Sequence, residues 1–136
     1  MPFVRISLPK TLSLEEKNQI SISIHQSLIK EFNIPVDDYF HVIEELDSHQ
    51  IKFPQNYLGV SHTETIIYIQ IIAGKGRDLE KKRRLYSAIA EEISKSTSVT
   101  KNNIVIVLLE NNIQEDWSFG NGEIQESKHL LPTNKG

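Results

Sequence analysis

The feature that most restricts the fold of this chain is a succession of elements that occurs twice. A strand, a helix and a second strand are followed by the same series at an offset of about 64 residues, which reads as an internal duplication. In the first half, Phe3 to Leu8 alternates apolar and polar side chains as a half-buried strand does. A helix then starts around Leu12-Ser13-Leu14-Glu15-Glu16. Ser13 and Glu16 fit a capping box, and Leu12 is placed to staple the turn. Ile20, Ile24, Leu28 and Phe32 recur at helical spacing, and Pro35 stops the helix after about Phe32. A second strand is expected around Tyr39 to Glu45, and Leu46 to Ser61 reads as a long connection.

In the second half, Thr65 to Ile72 is a β-branched strand and Ala73 to Arg77 a loop. Asp78 caps a helix to about Ser96 that carries Leu79, Tyr86, Ile89 and Ile93 on one face. Val99 to Asn103 is a turn, and Ile104 to Leu109 an apolar strand. The repeat aligns Lys17 with Lys81, Phe40 with Ile104 and Val42 with Ile106.

Together these elements predict a single α/β (α+β) domain over residues 1–136. Duplicated β-α-β units, about 2–46 and 64–110, form a four-stranded mixed sheet with two helices on one face. A C-terminal aromatic segment, 111–131, follows. Strands joined by a helical crossover run parallel, and the crossover is expected to be right-handed. Two helices cover one sheet face only, so the other calls for a partner subunit. The tail from Pro132 to Gly136 is polar and expected to fray.

The net charge of −3 gives no electrostatic footprint for nucleic acid. With no cysteine, disulfides, thiolate metal sites and cysteine nucleophiles are excluded. The five histidines lack metal-ligand spacing, so no metal is assigned. Neither a membrane-length apolar run nor a signal-peptide pattern is visible, which points to a cytoplasmic protein.

Several residues carry chemistry. Pro2 follows Met1; as a strand's first residue a proline is structurally harmless. If Met1 is clipped off, however, Pro2 exposes a secondary amine. Burial or neighbouring cations would lower its pKa and make it a base, and a nearby carboxylate would keep it a cationic acid. Lys75 and Arg77 sit in a glycine-containing loop before a helix, which suits an anion, and Arg77 can hold a carboxylate bidentately. The same run also reads as a solvated basic face. Asp37 and Asp38 lie at the start of the second strand, where parallel topology brings them toward Pro2, or they merely solubilise a turn. The only tryptophan lies in Asp116-Trp117-Ser118-Phe119-Gly120-Asn121-Gly122, a composition suited to a turn that presents large rings.

In combination these residues resemble the tautomerase superfamily, and within it the malonate semialdehyde decarboxylase-like branch. The resemblance spans about Pro2 to Gln125, and the Trp-Ser-Phe-Gly-Asn-Gly run is its most specific part. It implies that Pro2 is the catalytic amine, Asp38 its acidic partner, and Arg77 the binder of a substrate carboxylate. Trp117 and Phe119 would form the aromatic wall of the pocket. Lys75 stands where the branch has a first arginine, Tyr39 where an arginine is common after the aspartate, and His41 where glutamine is common. The resemblance also implies a homotrimer and chemistry without a metal or organic cofactor.

Three functions follow as expectations. The first is a cofactor-independent tautomerase of small 2-oxo or enol carboxylic acids, with Pro2, Asp38 and Arg77 catalytic. Lys75, Arg77, Trp117, Phe119 and Tyr39 would bind substrate. The second uses a cationic Pro2 to decarboxylate a 3-oxo acid of the malonate semialdehyde type, or to hydrate. The third is a non-enzymatic ferredoxin-like binding or oligomerisation module.

Overall fold

A computed structural model describes residues 1–125 of the chain. The last part of the aromatic segment, 126–131, and the tail expected to fray lie outside the described residues. The elements are β1 (Phe3–Pro9), α1 (Leu14–Phe32), β2 (Phe40–Leu46), β3 (Asn56–Tyr57), β4 (Val60–Ser61), β5 (Ile67–Gly74), α2 (Leu79–Ser96) and β6 (Ile104–Asn111). Four strands form one sheet in the order β2-β1-β5-β6. Within each half the strands are parallel, Phe3 opposite Phe40 and Ile67 opposite Ile104. The halves meet antiparallel at the centre, Phe3 opposite Ile72, which makes the sheet mixed as expected.

The core lies between this sheet and the two helices. Val4, Ile6 and Leu8 of β1 and Ile67, Ile69 and Ile71 of β5 pack against Ile20, Ile24 and Leu28 of α1 and Leu85, Ile89 and Ile93 of α2. Each such side chain contributes about 1.5–3 kcal/mol on full burial. Leu79 was expected on that face but is 61% exposed, and Leu85 takes its place. Leu79 is the first residue of α2, about one and two-thirds turns before the buried stripe begins at Leu85.

The repeat is 65 residues rather than 64. Ser13 caps α1 through Glu16 N–H and Asp78 caps α2 through Lys81 N–H, and 13 plus 65 is 78. Buried Ile20, Ile24 and Leu28 recur as Leu85, Ile89 and Ile93. The ion pair of Lys17 with Glu45 recurs as Lys82 with Glu110, so Lys82 and not Lys81 is the counterpart. Likewise Phe40 and Val42 correspond to Val105 and Val107, not to Ile104 and Ile106. A slip of one residue exchanges the two faces of a strand, and only the longer offset keeps buried positions matched with buried ones.

The connection from Leu46 to Ser61 is not structureless. It carries a 3₁₀ turn at Ser48–Gln50 and the small hairpin β3–β4. The sheet face away from the helices keeps Phe40, Val42, Val107 and Leu109 between 40% and 50% exposed. Four apolar side chains from both edge strands thus remain for a partner to cover.

Candidate active site

Because β1 and β2 start where β5 and β6 end, one sheet edge gathers four chain segments. The first is the chain start. Pro2 is buried. The Met1 α-ammonium, in a residue only 3% exposed, lies 3.2 Å from Asp38 Oδ2. Burial holds this amine below its ordinary pKa of 8.0; the Asp38 carboxylate opposes that shift and the Arg77 charge adds to it.

Asp38 comes from the connection after α1. Asn33 ends that helix in the left-handed conformation (φ 56°), and the Asp38 N–H donates to Pro35 O at 3.1 Å. The side chain of His25, on α1, reaches the same connection: its Nε2 lies 2.7 Å from Val36 O. Tyr39 turns to the helix side and meets the His25 ring at 5.1 Å.

Arg77 belongs to the loop between β5 and α2. Its Nη1 donates to Gly74 O (2.9 Å) and its Nη2 to Phe32 O (3.2 Å). Its guanidinium carbon sits 4.6 Å from the centre of the Phe32 ring. The Nε–H is buried and has no hydrogen-bond partner. Burial depresses the Arg77 pKa, with Glu110 opposing. Gly74 lets this loop close on the C-terminal segment, since a Cβ there would stand 3.2 Å from Ile113 Cβ. The α2 N-terminus is satisfied by Asp78, whose Oδ1 accepts from Lys81 N–H (2.9 Å). One N–H of the α2 N-terminus is thus already paired with a carboxylate. Lys75 is exposed, and its backbone N–H donates to Asn111 O (2.8 Å).

The fourth segment follows β6. Trp117 Nε1–H donates to Asn111 Oδ1 (2.8 Å), and its ring stacks on Phe119 at 5.3 Å with an 8° interplanar angle. Phe119 in turn meets Phe40 at 5.4 Å. Gly120, Asn121 and Gly122 all have positive φ, which explains why that turn is written Gly-Asn-Gly. Its ends are tied by Ser118 Oγ–H to Glu123 O (2.7 Å) and by Phe119 N–H to Gln125 Oε1 (2.8 Å).

The structure thus brings the chain start, Asp38 and Arg77 into one electrostatic cluster, and ties the Lys75 loop and Trp117 together through Asn111. Phe40 was missed by sequence reasoning. Its signal was strand alternation: starting β2 on the open face, it points opposite to Tyr39, which the sequence had favoured. Among the described residues no three His, Cys, Asp or Glu side chains are grouped to hold a metal ion. No described helix is long and apolar enough to cross a membrane.

Comparison with known proteins identifies the family of this fold. Two family models described as tautomerase enzymes match residues 38–120 and 2–58. The protein named "Probable tautomerase YusQ" of Bacillus subtilis (strain 168) is 41% identical over 125 residues, covering 92% of this chain and 98% of that one. "Probable tautomerase YrdN" of the same organism is 24% identical over 125 residues, covering 92% and 95%. Among solved structures, FG41 malonate semialdehyde decarboxylase inhibited by 3-bromopropiolate superposes with a TM-score of 0.86 at 29% identity, covering 95% of this chain and 97% of that one. A fused 4-OT, described as a symmetric trimer, shares the fold at 14% identity with a TM-score of 0.73, covering 90% and 94%. The chain belongs to the tautomerase superfamily of enzymes, in its malonate semialdehyde decarboxylase-like branch.

Proposed function

We propose that the mature chain begins at Pro2 and is a cofactor-independent tautomerase of small 2-oxo or enol carboxylic acids, such as a phenylenolpyruvate-like compound. The carrying observation is the α-amine beside Asp38 with Arg77 close enough to perturb it. Loss of Met1 passes the free amine to Pro2. Desolvation and a neighbouring cation favour its neutral form, so it acts as a base near pH 7. It takes the enol hydroxyl proton and returns a proton to the adjacent carbon, and the enol becomes the 2-oxo acid. Arg77, with its unpartnered Nε–H and Lys75 nearby in sequence, holds the carboxylate and steadies developing enolate charge. Trp117, Phe119 and Phe40 pack on the apolar part, whereas Tyr39, expected in the substrate-binding set, faces His25 on the helix side. The half-exposed apolar sheet face supports a homotrimer.

A second reading keeps the site and makes Pro2 a cation that drives decarboxylation of a 3-oxo acid, or hydration. The likeness to FG41 malonate semialdehyde decarboxylase favours it, as does Asp38, which raises the amine pKa. Intact mass of the purified protein is expected to lack Met1. Pro2→Ala is then expected to abolish turnover of enol acids; equal rates would overturn the reading. An amine pKa well below about 7 supports the base, and one well above about 8 the cation.

A further inference from the structure

We propose that His25 is a positioning residue that sets the charge of the N-terminal amine by holding Asp38 in place. The proposal rests on the site reading above and extends it to a side chain on α1 that touches neither the amine nor a bound acid. Asp38 lies on an irregular connection whose own ties are few: one backbone bond to Pro35 O at 3.1 Å, and the start of β2 at Phe40. His25 grips that connection on both sides of Asp38. Upstream, its Nε2 lies 2.7 Å from Val36 O. A carbonyl only accepts, so Nε2 carries the proton. Downstream, its ring packs against Tyr39 at 5.1 Å. Val36 and Tyr39 therefore share one anchor, and the Asp37-Asp38 pair is strung between them.

The anchor is itself supported. His41, on β2, stands edge-on to His25 at 6.1 Å, and its Nδ1 lies 2.8 Å from Ser21 Oγ on α1. Nδ1 of His25 and Nε2 of His41 are buried without partners. Their polarity is thus not spent on other contacts, and what the pair visibly does is hold the connection. The other half of the molecule needs no such device. The residue 65 beyond His25 is Ala90, and Asn103, the counterpart of Asp38, is fixed by its own amide bonds to Thr63 and Thr65.

The consequence is electrostatic. The charged groups acting on the Met1 amine, which stands in for the Pro2 amine of the mature chain, are Asp38, which raises its pKa, and Arg77, which lowers it, with Glu110 acting in turn on Arg77. Loosening Asp38 leaves burial and Arg77 unopposed, so the amine pKa falls. A shift of a few tenths of an ångström to an ångström in a catalytic group costs about 10- to 100-fold in rate.

The test is a titration of the chain labelled with carbon-13 at proline, with Met1 removed and no substrate, followed by NMR. Asp38→Asn sets the scale, by the full loss of the carboxylate. His25→Phe keeps a ring against Tyr39 and deletes the donor; it is expected to lower the amine pKa in the same direction by a smaller amount, and kcat about tenfold with KM little changed. His25→Gln restores a donor at the same reach and is expected to recover most of the shift. Tyr39→Leu, which breaks the ring contact from the other side, is expected to shift the amine the same way by less, and serves if His25→Phe does not fold. An unchanged amine pKa in His25→Phe or Tyr39→Leu, beside a clear shift in Asp38→Asn, would overturn the positioning role alone. No shift in Asp38→Asn would overturn the pairing of Asp38 with the amine, and this proposal with it.

Discussion

The two edges of the central sheet are built from equivalent residues and hold different chemistry. At the candidate site stand Pro2, Asp38, Lys75 and Arg77. Counterparts 65 residues away, in either direction along the chain, meet at the opposite edge as Ile67, Asn103, Lys10 and Leu12. The three substitutions remove reactivity, and the lysine common to both edges is paired at this one. Ile67 is wholly buried and is not a chain end; Leu12 is buried and apolar. Asn103 is 2% exposed and spends its amide on Thr63 N–H (2.8 Å), Thr63 Oγ1 (2.8 Å) and Thr65 Oγ1 (2.9 Å). Lys10 is paired with Asp47. The same frame thus carries one edge whose polar groups are internally satisfied and one that holds a buried amine beside a carboxylate and a guanidinium N–H without a hydrogen-bond partner. Duplication supplies the scaffold twice, but a free chain start only once.

The strongest way to break this contrast is to install the silent edge's residue at the candidate site. Arg77→Leu is expected to lower kcat/KM for an enol acid by about 100- to 1000-fold, the usual loss when a charge-stabilising donor is removed. The Phe32 carbonyl at the end of α1 also loses a donor, so some stability goes with it. Turnover within threefold of the parent would mean that the cationic edge is not the site. The converse change sharpens the contrast from the other side. Asn103→Ala removes the buried amide that ties Thr63 and Thr65 together and is expected to cost about 1–2 kcal/mol in urea unfolding. Activity per folded molecule should stay unchanged.

A smaller effect is expected where the loop of the candidate edge closes on its neighbour. Gly74→Ala sets a methyl 3.2 Å from Ile113 Cβ. Accommodating it is expected to cost about 1 kcal/mol in thermal unfolding. The Gly74 carbonyl also accepts from Arg77 Nη1, so KM for the acid should rise along with the loss of stability. Melting and KM that both match the parent would show that the loop has slack there.

Most of the frame was legible because its signals are local and periodic. The capping box at Ser13 and Glu16, the Asp78 cap and the buried helical stripes can be read without a partner. The repeat offset was missed by one residue because strands of Ile and Val match themselves at either spacing. Only the face each residue occupies separates 64 from 65, and a face is a property of the packed sheet. The hairpin β3–β4 was missed because its strands are two residues each, too short for periodicity. At the site, Pro2, Asp38, Arg77, Trp117 and Phe119 could be singled out by type, whereas Phe40 and His25 could not. Their interest comes from what they touch across 79 and 11 residues of chain, at Phe119 and Val36.

His41 gives the finest comparison between the edges, since its counterpart 65 residues on is Ile106. Burial, with the His25 charge second, pushes the His41 pKa down from 6.5 to about 4. The folded chain therefore keeps the ring neutral where the unfolded chain protonates it. The stability that depends on the neutral ring is complete above about pH 6.5 and is lost as pH falls through that value toward about 4. His41→Gln removes the titration while leaving Ser21 a polar partner. Carboxylates elsewhere titrate alike in both chains, so the difference between their melting curves isolates the imidazole. The parent is expected to lose a few degrees more than the variant between pH 7 and pH 4.5. Parallel curves would mean that His41 is hydrated well enough to charge freely, and that the helix side of β2 is no drier at the candidate edge than the solvent it borders.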